Sequence, residues 1–334
     1  MSLAPALRAA IVEALSRWDL AGEAEPLGGG AANEHWRIAV EGEERPYVLR
    51  RYHPRHDAGD IAYEHRVLAF LGDRDWPVAP PIADARGRTL AATDAGLWAL
   101  FRWRSGEPAP PDALLYLQRK GALLALLHAD LAEAPDFGQR PGFGRADDLD
   151  ANVRADGHED VEALLAWYGG RDGARAEVLG DALARNREAL AAGGFSELPD
   201  QLVYYECLGG NVRFRDDTVT ALFDFDLTHR NARAADIARS LAVDCGVSAK
   251  RAGAWLAGYV NLAPSPLSEA EAALIAPLMT AAELWNTVLP LSIGARWGNE
   301  AQLRSAEASI DRRLPFSEDA ERLLGAVAQQ AART

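Results

Sequence analysis

The chain has 334 residues, of which 49% are hydrophobic and 25% charged, the composition of an ordinary globular protein of one or two domains. Its net charge of −14 argues against nucleic acid as a partner and mildly favours a cationic small molecule, although solubility alone also explains it. Two cysteines, Cys207 and Cys245, are too few for a disulfide framework, so we expect a cytoplasmic protein. We see no signal peptide and no apolar run of membrane-spanning length, and therefore expect no membrane partner.

The N-terminal third predicts a helix followed by strands. Apolar residues recur at helical spacing over residues 4–18, and strands are predicted at residues 35–40 and 46–52. A glycine turn that includes Gly29 and Gly30 precedes the strand at residues 35–40. Asn33 lies between this turn and the strand. The bare backbone of such a turn can approach phosphates, but triple glycines are also common in ordinary loops.

A strand and a helix carry a candidate ion pair. The strand PYVLRRY contains Arg50, and the helix predicted at residues 60–72 contains Glu64. Considered without the rest of the pattern, Arg50 is interpreted as an ordinary basic residue of a strand, and Glu64 as an acidic residue that faces solvent. Further strands at residues 89–93 and 97–103 complete a predicted five-stranded antiparallel sheet.

From residue 108 onward the pattern is mainly helical. His128, within ALLALLHADL, is favoured as a packed structural histidine. A loop rich in glycine and aspartate is predicted at residues 136–158. Helices are predicted at residues 114–131, 159–168, 175–192, 251–262, 268–286, 300–311 and 317–331.

Residues 202–226, LVYYECLGGNVRFRDDTVTALFDFD, are predicted to form a strand, a loop and a hairpin. The hairpin is expected to bring Glu206, Asn211 and Asp224 together. Amide and carboxylate oxygens suit Mg²⁺ that carries nucleotide phosphates, and a further carboxylate can accept a proton from a hydroxyl. The alternative is a surface hairpin with solvated acids and turn glycines.

The spacing of this stretch resembles the catalytic segment of the aminoglycoside phosphotransferase, choline kinase and homoserine kinase superfamily. That pattern is H-G-D-x-x-x-x-N, about a dozen residues, D-F-D or D-F-E, and a further Asp. Asn211 lies five residues after Glu206, Asp224 thirteen after Asn211, and Asp236 twelve after Asp224. The first triplet departs from the pattern, because Tyr204-Tyr205-Glu206 stands where the family has His-Gly-Asp.

The resemblance implies an α+β, protein-kinase-like fold of two lobes. Residues 1–103 would form a nucleotide-binding lobe with an antiparallel sheet and a helix. Residues 104–334 would form a mainly helical catalytic and acceptor-binding lobe. The implied reaction is transfer of the γ-phosphoryl group of ATP, with Mg²⁺, to a hydroxyl of an aminoglycoside-, choline- or homoserine-like molecule.

The resemblance also implies roles for individual residues. Glu206 would orient and deprotonate the acceptor hydroxyl, while Asn211 and Asp224 would hold Mg²⁺. Asp236 would brace the catalytic loop from below, although a helix N-cap is an alternative reading. The implied nucleotide contacts are Gly29, Gly30 and Asn33 over the phosphates, Arg50 fixed by Glu64, and the backbone around Phe101 and Trp103 at the adenine.

The altered triplet leaves three hypotheses open. Glu206 keeps the carboxylate of the family Asp but places it about one methylene further from the backbone. Tyr204 stands where the family has a histidine that normally fixes the loop through hydrogen bonds. The chain is therefore an active small-molecule kinase, a nucleotide-binding pseudokinase, or a Ser/Thr protein kinase of the stress-response type. Candidates for the wall of the acceptor pocket, equally explained as core or surface residues, are Trp285, Asn286, Arg296 and Trp297.

Overall fold

The structure is a computed structural model that describes residues 4–28, 33–110, 113–315 and 327–328. The chain folds as two compact units. Unit 1 comprises Met1–Glu107 and Arg213–Asp226, and unit 2 comprises Pro108–Val212 and Leu227–Thr334. The sequence predicts that the second lobe begins at residue 104 and includes all that follows, whereas in the structure residues 213–226 belong to unit 1.

The secondary structure alternates strands and helices in unit 1 and is mainly helical in unit 2. The strands are β1 Glu23–Leu27, β2 Glu34–Ala39, β3 Tyr47–Arg51, β4 Ala91–Thr93, β5 Gly96–Arg102, β6 Glu107–Pro108, β7 Gln201–Val203, β8 Val212–Arg215, β9 Thr218–Leu222 and β10 His229–Asn231. The helices are α1 Pro5–Leu15, α2 Ala58–Gly72, α3 Leu114–Ala132, α4 Asp150–Ala155, α5 Val161–Gly169, α6 Gly173–Ala192, α7 Arg233–Cys245, α8 Ala249–Leu262, α9 Glu269–Trp297 and α10 Glu300–Arg312.

Unit 1 is built on the predicted five-stranded antiparallel sheet, with the strand order β1-β2-β3-β5-β4. Alternate residues of neighbouring strands, such as Trp36, Leu49 and Trp98, face one side and pack against Ile11 and Leu15 of α1. Strand β1 is not predicted from the sequence, because EAEPL lacks apolar alternation and contains a proline. A proline is tolerated there because β1 lies at the edge of the sheet.

The hairpin of β8 and β9 joins unit 1 through backbone and side-chain hydrogen bonds. The Leu222 N–H donates to the carbonyl oxygen of Pro77 at 2.9 Å. The Thr220 hydroxyl donates to the carbonyl oxygen of Ser105 at 2.8 Å. The strand end that carries Asp224 is therefore positioned by the same unit that carries β3 and α2.

Helices α3 and α8 of unit 2 approach each other closely at two glycines. A Cβ atom at Gly121 would lie 2.0 Å from the carbonyl oxygen of Trp255, and one at Gly258 would lie 1.9 Å from that of Gln118. Because both obstacles are backbone atoms, no side-chain rotation can make room for even a methyl group. The closeness of this helix pair fixes α3, which carries two polar side chains of the site described below.

Helix α9 continues to Trp297, beyond the predicted end at residue 286. By length and composition it passes a test for membrane-spanning helices, with a mean hydropathy of 1.3 over an 18-residue window. The expectation that the chain has no such run is therefore wrong by that criterion. However, 67% of that window is buried in the fold, as in the core helix of a globular unit.

Three other expectations need correction or fall outside the description. The predicted loop at residues 136–158 contains the short helix α4. Strand β10 precedes α7, which begins at Arg233 after an N-cap at Ala232. Asp236 is thus inside the helix, and its reading as an N-cap is wrong. Most of the helix predicted at residues 317–331 lies outside the described residues.

We expect Gly121→Ala to lower the thermal stability, because the added methyl group must push α3 away from α8. Overpacking of this kind costs about 1–3 kcal/mol, and more where the backbone must shift. Thermal or urea unfolding measures the loss. The control is Gly173→Ala at the first turn of α6, where no atom lies within 4 Å of the added carbon. Equal stability of Gly121→Ala and wild type would contradict the close approach.

Candidate functional site: a catalytic-type loop and a phosphate-binding-type cluster

The loop after β7 has an unusual backbone at Tyr205. Its φ is +68°, in the left-handed region that glycine prefers, and its side chain is buried. Tyr205 stands at the position that corresponds to the glycine of the H-G-D pattern. A non-glycine residue there costs roughly 1–2 kcal/mol, so contacts of the tyrosine ring must offset that strain.

Glu206 is a buried carboxylate with two identified partners in unit 2. Its Oε1 accepts a hydrogen bond from Arg239 Nη2 at 2.6 Å, and its Oε2 accepts one from Asn211 Nδ2 at 2.9 Å. The side chains of Glu206 and Arg239 are 8% and 5% exposed. Asn211 thus contacts Glu206 through its amide nitrogen, and its Oδ1 is the atom suited to a cation.

Arg239, on α7, fixes the loop through both backbone and side chains. Its Nε donates to the carbonyl oxygen of Tyr205 at 2.8 Å, and its Nη1 donates to Asn286 Oδ1 at 2.8 Å. The guanidinium carbon lies 4.9 Å from the centre of the Tyr205 ring and 4.6 Å from that of Trp285. These cation–π contacts, together with the ion pair to Glu206, engage Arg239 on several sides.

Asp236 makes the bracing contact that the family resemblance implies. Its Oδ2 accepts the backbone N–H of Tyr204 at 2.9 Å and lies 3.1 Å from His128 Nε2. His128 is buried on α3, and its Nδ1 lies 2.8 Å from the hydroxyl of Tyr259. His128 is a packed histidine, as predicted. It contacts Asp236, which in turn binds the backbone of the loop.

In unit 1, Arg50 is at the centre of a cluster of polar groups. The predicted ion pair is present, with Arg50 Nη1 2.6 Å from Glu64 Oε1, and both side chains are buried. Arg50 Nη2 lies 3.5 Å from Asp224 Oδ1 and 3.7 Å from Asp226 Oδ2. Burial and the charge of Arg50 lower the pKa of His35 to about 4, so this neutral ring accepts the Arg50 Nε–H at 3.1 Å.

Asn33 ties two segments of this cluster together. Its Nδ2 donates to Asp226 Oδ2 at 2.9 Å, and its Oδ1 accepts the backbone N–H of His53 at 2.9 Å. Both ends of the buried amide therefore contact protein groups. The predicted contact of Asn33 with phosphates stays a prediction, and Gly29 and Gly30 lie outside the described residues.

The predicted adenine contacts lie at the end of β5 and just beyond it. Phe101 is buried and pairs with Val48 of β3, and the Trp103 N–H donates to the carbonyl oxygen of Pro46 at 3.2 Å. Phe101 thus belongs to the sheet, and Trp103 hydrogen-bonds through its backbone to the residue before β3. Their role toward a nucleotide stays a prediction.

The residues predicted to hold a metal offer oxygen atoms of the required kind. Asp224 has a side chain that is 43% exposed and a φ of +64°, and Asn211 presents an amide oxygen. Within the described residues, no three His, Cys, Asp or Glu side chains cluster as a closed metal site. Mg²⁺ is commonly held by one or two carboxylates together with substrate phosphates. Asp224 belongs to unit 1 and Asn211 to unit 2.

The four candidates for an acceptor wall separate into two pairs along α9. Trp285 and Asn286 both contact Arg239 and so belong to the surroundings of the loop. Arg296 lies 5.7 Å from the centre of the Trp297 ring, at the C-terminal end of the helix, and Trp297 is 43% exposed. The first pair is therefore the better candidate.

Sequence reasoning missed three residues of these clusters. Asp226 is the second acid of the D-F-D motif, which was a usable signal. Arg239 lies three residues after Asp236, a spacing that places both on one side of a helix. His35 begins a predicted strand and has no sequence signal that distinguishes it from an ordinary strand residue.

The family profile for the phosphotransferase enzyme family matches residues 23–270, which is most of the chain. The chain belongs to this family. Among curated relatives, this phosphotransferase is 25% identical over 285 residues to a homoserine kinase of Polaromonas naphthalenivorans, covering 80% of this chain and 84% of that one. It is 28% identical over 248 residues to a homoserine kinase of a Caulobacter species, covering 71% of each.

Solved structures share the fold of this phosphotransferase. A microcompartment-associated aminopropanol kinase superposes with a TM-score of 0.68 at 18% identity, covering 97% of this chain and 99% of that one. The amicoumacin kinase hAmiN, in complex with AMP-PNP, Ca²⁺ and Ami, gives 0.66 at 14% identity, covering 93% and 97%. The predicted superfamily and the kinase-like α+β fold are confirmed, as is the assignment to phosphotransferase enzymes.

We expect the free energy of unfolding to fall as the pH drops from 6.5 to 4, in part because of His229. This histidine is buried beside Phe143 and Tyr205, and burial lowers its pKa to about 4. Between pH 6.5 and 4 the unfolded chain therefore binds a proton at this side chain that the folded chain does not bind. The contribution of neutral His229 is complete above pH 6.5 and is lost across this window, at up to about 1.4 kcal/mol per pH unit.

Urea unfolding of wild type and His229→Gln across this window tests the expectation. The variant should lose less stability than wild type on acidification. His158→Gln, at a half-buried position, controls for the removal of a histidine as such. Parallel pH profiles for wild type and His229→Gln would contradict the assignment.

Proposed function

We propose that this chain is an active small-molecule kinase that transfers the γ-phosphoryl group of ATP to a hydroxyl. The observation that carries the proposal is the contact between Glu206 and Asn211 at 2.9 Å, with Arg239 holding the same carboxylate. Although the H-G-D triplet is altered, a carboxylate is still present in the loop and connected to the asparagine. Burying a charged group is costly, and in this loop the carboxylate is present and held in a fixed orientation by two partners.

The proposed roles follow from the chemistry of each group. Glu206, as a charge-assisted hydrogen-bond acceptor, orients the acceptor hydroxyl toward the phosphorus. Arg50, held by Glu64, binds phosphate oxygens. Asn211 and Asp224 hold Mg²⁺, which supplies neutralisation of the phosphate charge when bound. Phosphoryl transfer depends mainly on positioning and charge stabilisation, so a Glu that is well placed can replace an Asp.

We propose a small hydroxylated amine as the acceptor. Homoserine kinases are among the relatives, and an aminopropanol kinase and an amicoumacin kinase are among the structural neighbours. The net charge of −14 is compatible with attraction of a cation.

One observation favours a second candidate function, nucleotide binding without transfer. Glu206 is only 6% exposed, and both of its oxygens already accept hydrogen bonds. A carboxylate so engaged has less capacity for an acceptor hydroxyl. The two candidates differ in one outcome, which is phosphate transfer to an acceptor.

We expect Mg²⁺ and ATP together to raise the melting temperature of wild type, because a ligand that binds the folded state stabilises it. Asp224→Ala should abolish the Mg²⁺-dependent part of this shift. Asp217→Ala, in the exposed turn of the same hairpin, is the matched control and should keep it. The measurement is a thermal-shift titration with ATP, GTP and a non-hydrolysable analogue, with and without Mg²⁺.

A screen with γ-labelled ATP then separates the candidates. Transfer to homoserine, amino alcohols or aminoglycosides supports the proposal. Binding without transfer to any acceptor supports the pseudokinase, and transfer to protein substrates alone supports a protein kinase. The absence of a shift with every nucleotide would overturn both nucleotide-dependent functions.

A further inference from the structure

Two buried polar contacts connect helices α3 and α7, an ion pair between Lys120 and Asp244 and a hydrogen bond between His128 and Asp236. Lys120 Nζ lies 2.7 Å from Asp244 Oδ2, and His128 Nε2 lies 3.1 Å from Asp236 Oδ2. The partners are eight residues apart on each helix, which places them on one helix face, and their order is reversed between the helices. Helices α3 and α7 therefore run antiparallel here, with one pair at each end of the contact.

Each of these aspartates also binds one end of the loop between β7 and β8, residues 204–211. Asp236 Oδ2 accepts the Tyr204 N–H at 2.9 Å, and Asp244 Oδ1 accepts the Gly209 N–H at 2.8 Å. Lys120 Nζ donates to the carbonyl oxygen of Gly209 at 3.0 Å. The pair of Lys120 and Asp244 thus holds both backbone polar groups of Gly209, a residue with a φ of +51°.

A lysine, and not one of the many arginines of the chain, occupies this buried position. The chain has 35 basic residues, and only Lys120 and Lys250 are lysines. The Lys120 side chain is 3% exposed, so the chain buries one of its two lysines. A compact ammonium group can donate to Asp244 and to the Gly209 carbonyl from a single atom, whereas a planar guanidinium needs more room.

The backbone of the loop couples the position of Gly209 to that of Asn211. The Asn211 N–H donates to the carbonyl oxygen of Leu208 at 3.1 Å, within the 3₁₀ turn Gly209–Asn211. The side chain of Asn211 then reaches Glu206 at 2.9 Å. A shift of Gly209 would move the turn and so change the direction of the Asn211 amide.

We propose that Lys120 and Asp244 are positioning residues that fix the Gly209 end of the loop and thereby orient Asn211. The inference rests on the proposed phosphotransferase function for its catalytic consequence. A buried ion pair is poor evidence for a gain in stability, because desolvation offsets much of the attraction. Its use to place a backbone segment is the role that the geometry supports.

An ion pair elsewhere in unit 2, between the half-buried Arg233 and the buried Glu271, provides the control. Arg233 Nε lies 2.6 Å from Glu271 Oε1, and Glu271 Oε2 accepts the Ser268 N–H at 2.8 Å. This pair, like that of Lys120 and Asp244, combines a charge contact with capture of a backbone N–H. Among the described residues, this pair hydrogen-bonds to residues 265, 266 and 268 and to Tyr259, and none of these contacts goes to residues 204–211 directly.

The experiment compares Asp244→Asn with Glu271→Gln by hydrogen–deuterium exchange and by kinetics. Asp244→Asn should exchange the amides of residues 207–211 about tenfold faster than wild type, since a charge-assisted hydrogen bond becomes a neutral one. It should lower kcat by about tenfold or more, with a smaller change in the KM for the acceptor. Glu271→Gln should keep the loop exchange and kcat within about twofold of wild type, at whatever cost in melting temperature. Lys120→Met should follow Asp244→Asn.

The outcomes separate this inference from the proposed function. Loop exchange in Asp244→Asn equal to that in Glu271→Gln would overturn the positioning role. An equal loss of kcat in the two variants would show a general loss of stability and would also overturn it. If wild type transfers phosphate to no acceptor, the proposed function fails, while the exchange comparison still decides whether Lys120 and Asp244 hold the loop.

Discussion

The ion pair between Arg239 and Glu206 is the interaction on which the geometry of the loop depends. Burying both charges carries a large desolvation cost, which the remaining contacts of Arg239 with Tyr205, Trp285 and Asn286 help to offset. Removal of either charge would leave the other buried and uncompensated, at a cost of about 3–5 kcal/mol. The altered triplet is therefore part of a connected network.

The same network accounts for the strained backbone at Tyr205. A glycine would adopt its positive φ freely, but it would lack the ring that Arg239 and Trp285 contact. Helix α7 anchors the loop through three side chains. Asp236, Arg239 and Asp244 each bind a different part of it. Helices α7 and α3 thereby anchor both ends of the loop.

Much of the fold could be predicted because it depends on local patterns and spacing. Four of the five strands of the sheet and the Arg50–Glu64 pair follow from periodicity and from the order of motifs, and the structure contains both. The assignment of the β8–β9 hairpin to unit 1 was not predictable, because it depends on hydrogen bonds to Pro77 and Ser105, which are distant in sequence. Likewise, nothing near Glu206 indicates that an arginine 33 residues later is its partner.

The most direct test of this account is to restore the family aspartate with Glu206→Asp. If the loop is built around the longer side chain, the aspartate falls about one methylene short of Arg239 and Asn211. The account predicts that kcat with the acceptor found by screening drops, on the order of a hundredfold for a misplacement of ~1 Å, and that the melting temperature falls as well. A variant that transfers phosphate as fast as wild type, or faster, with unchanged stability would contradict it.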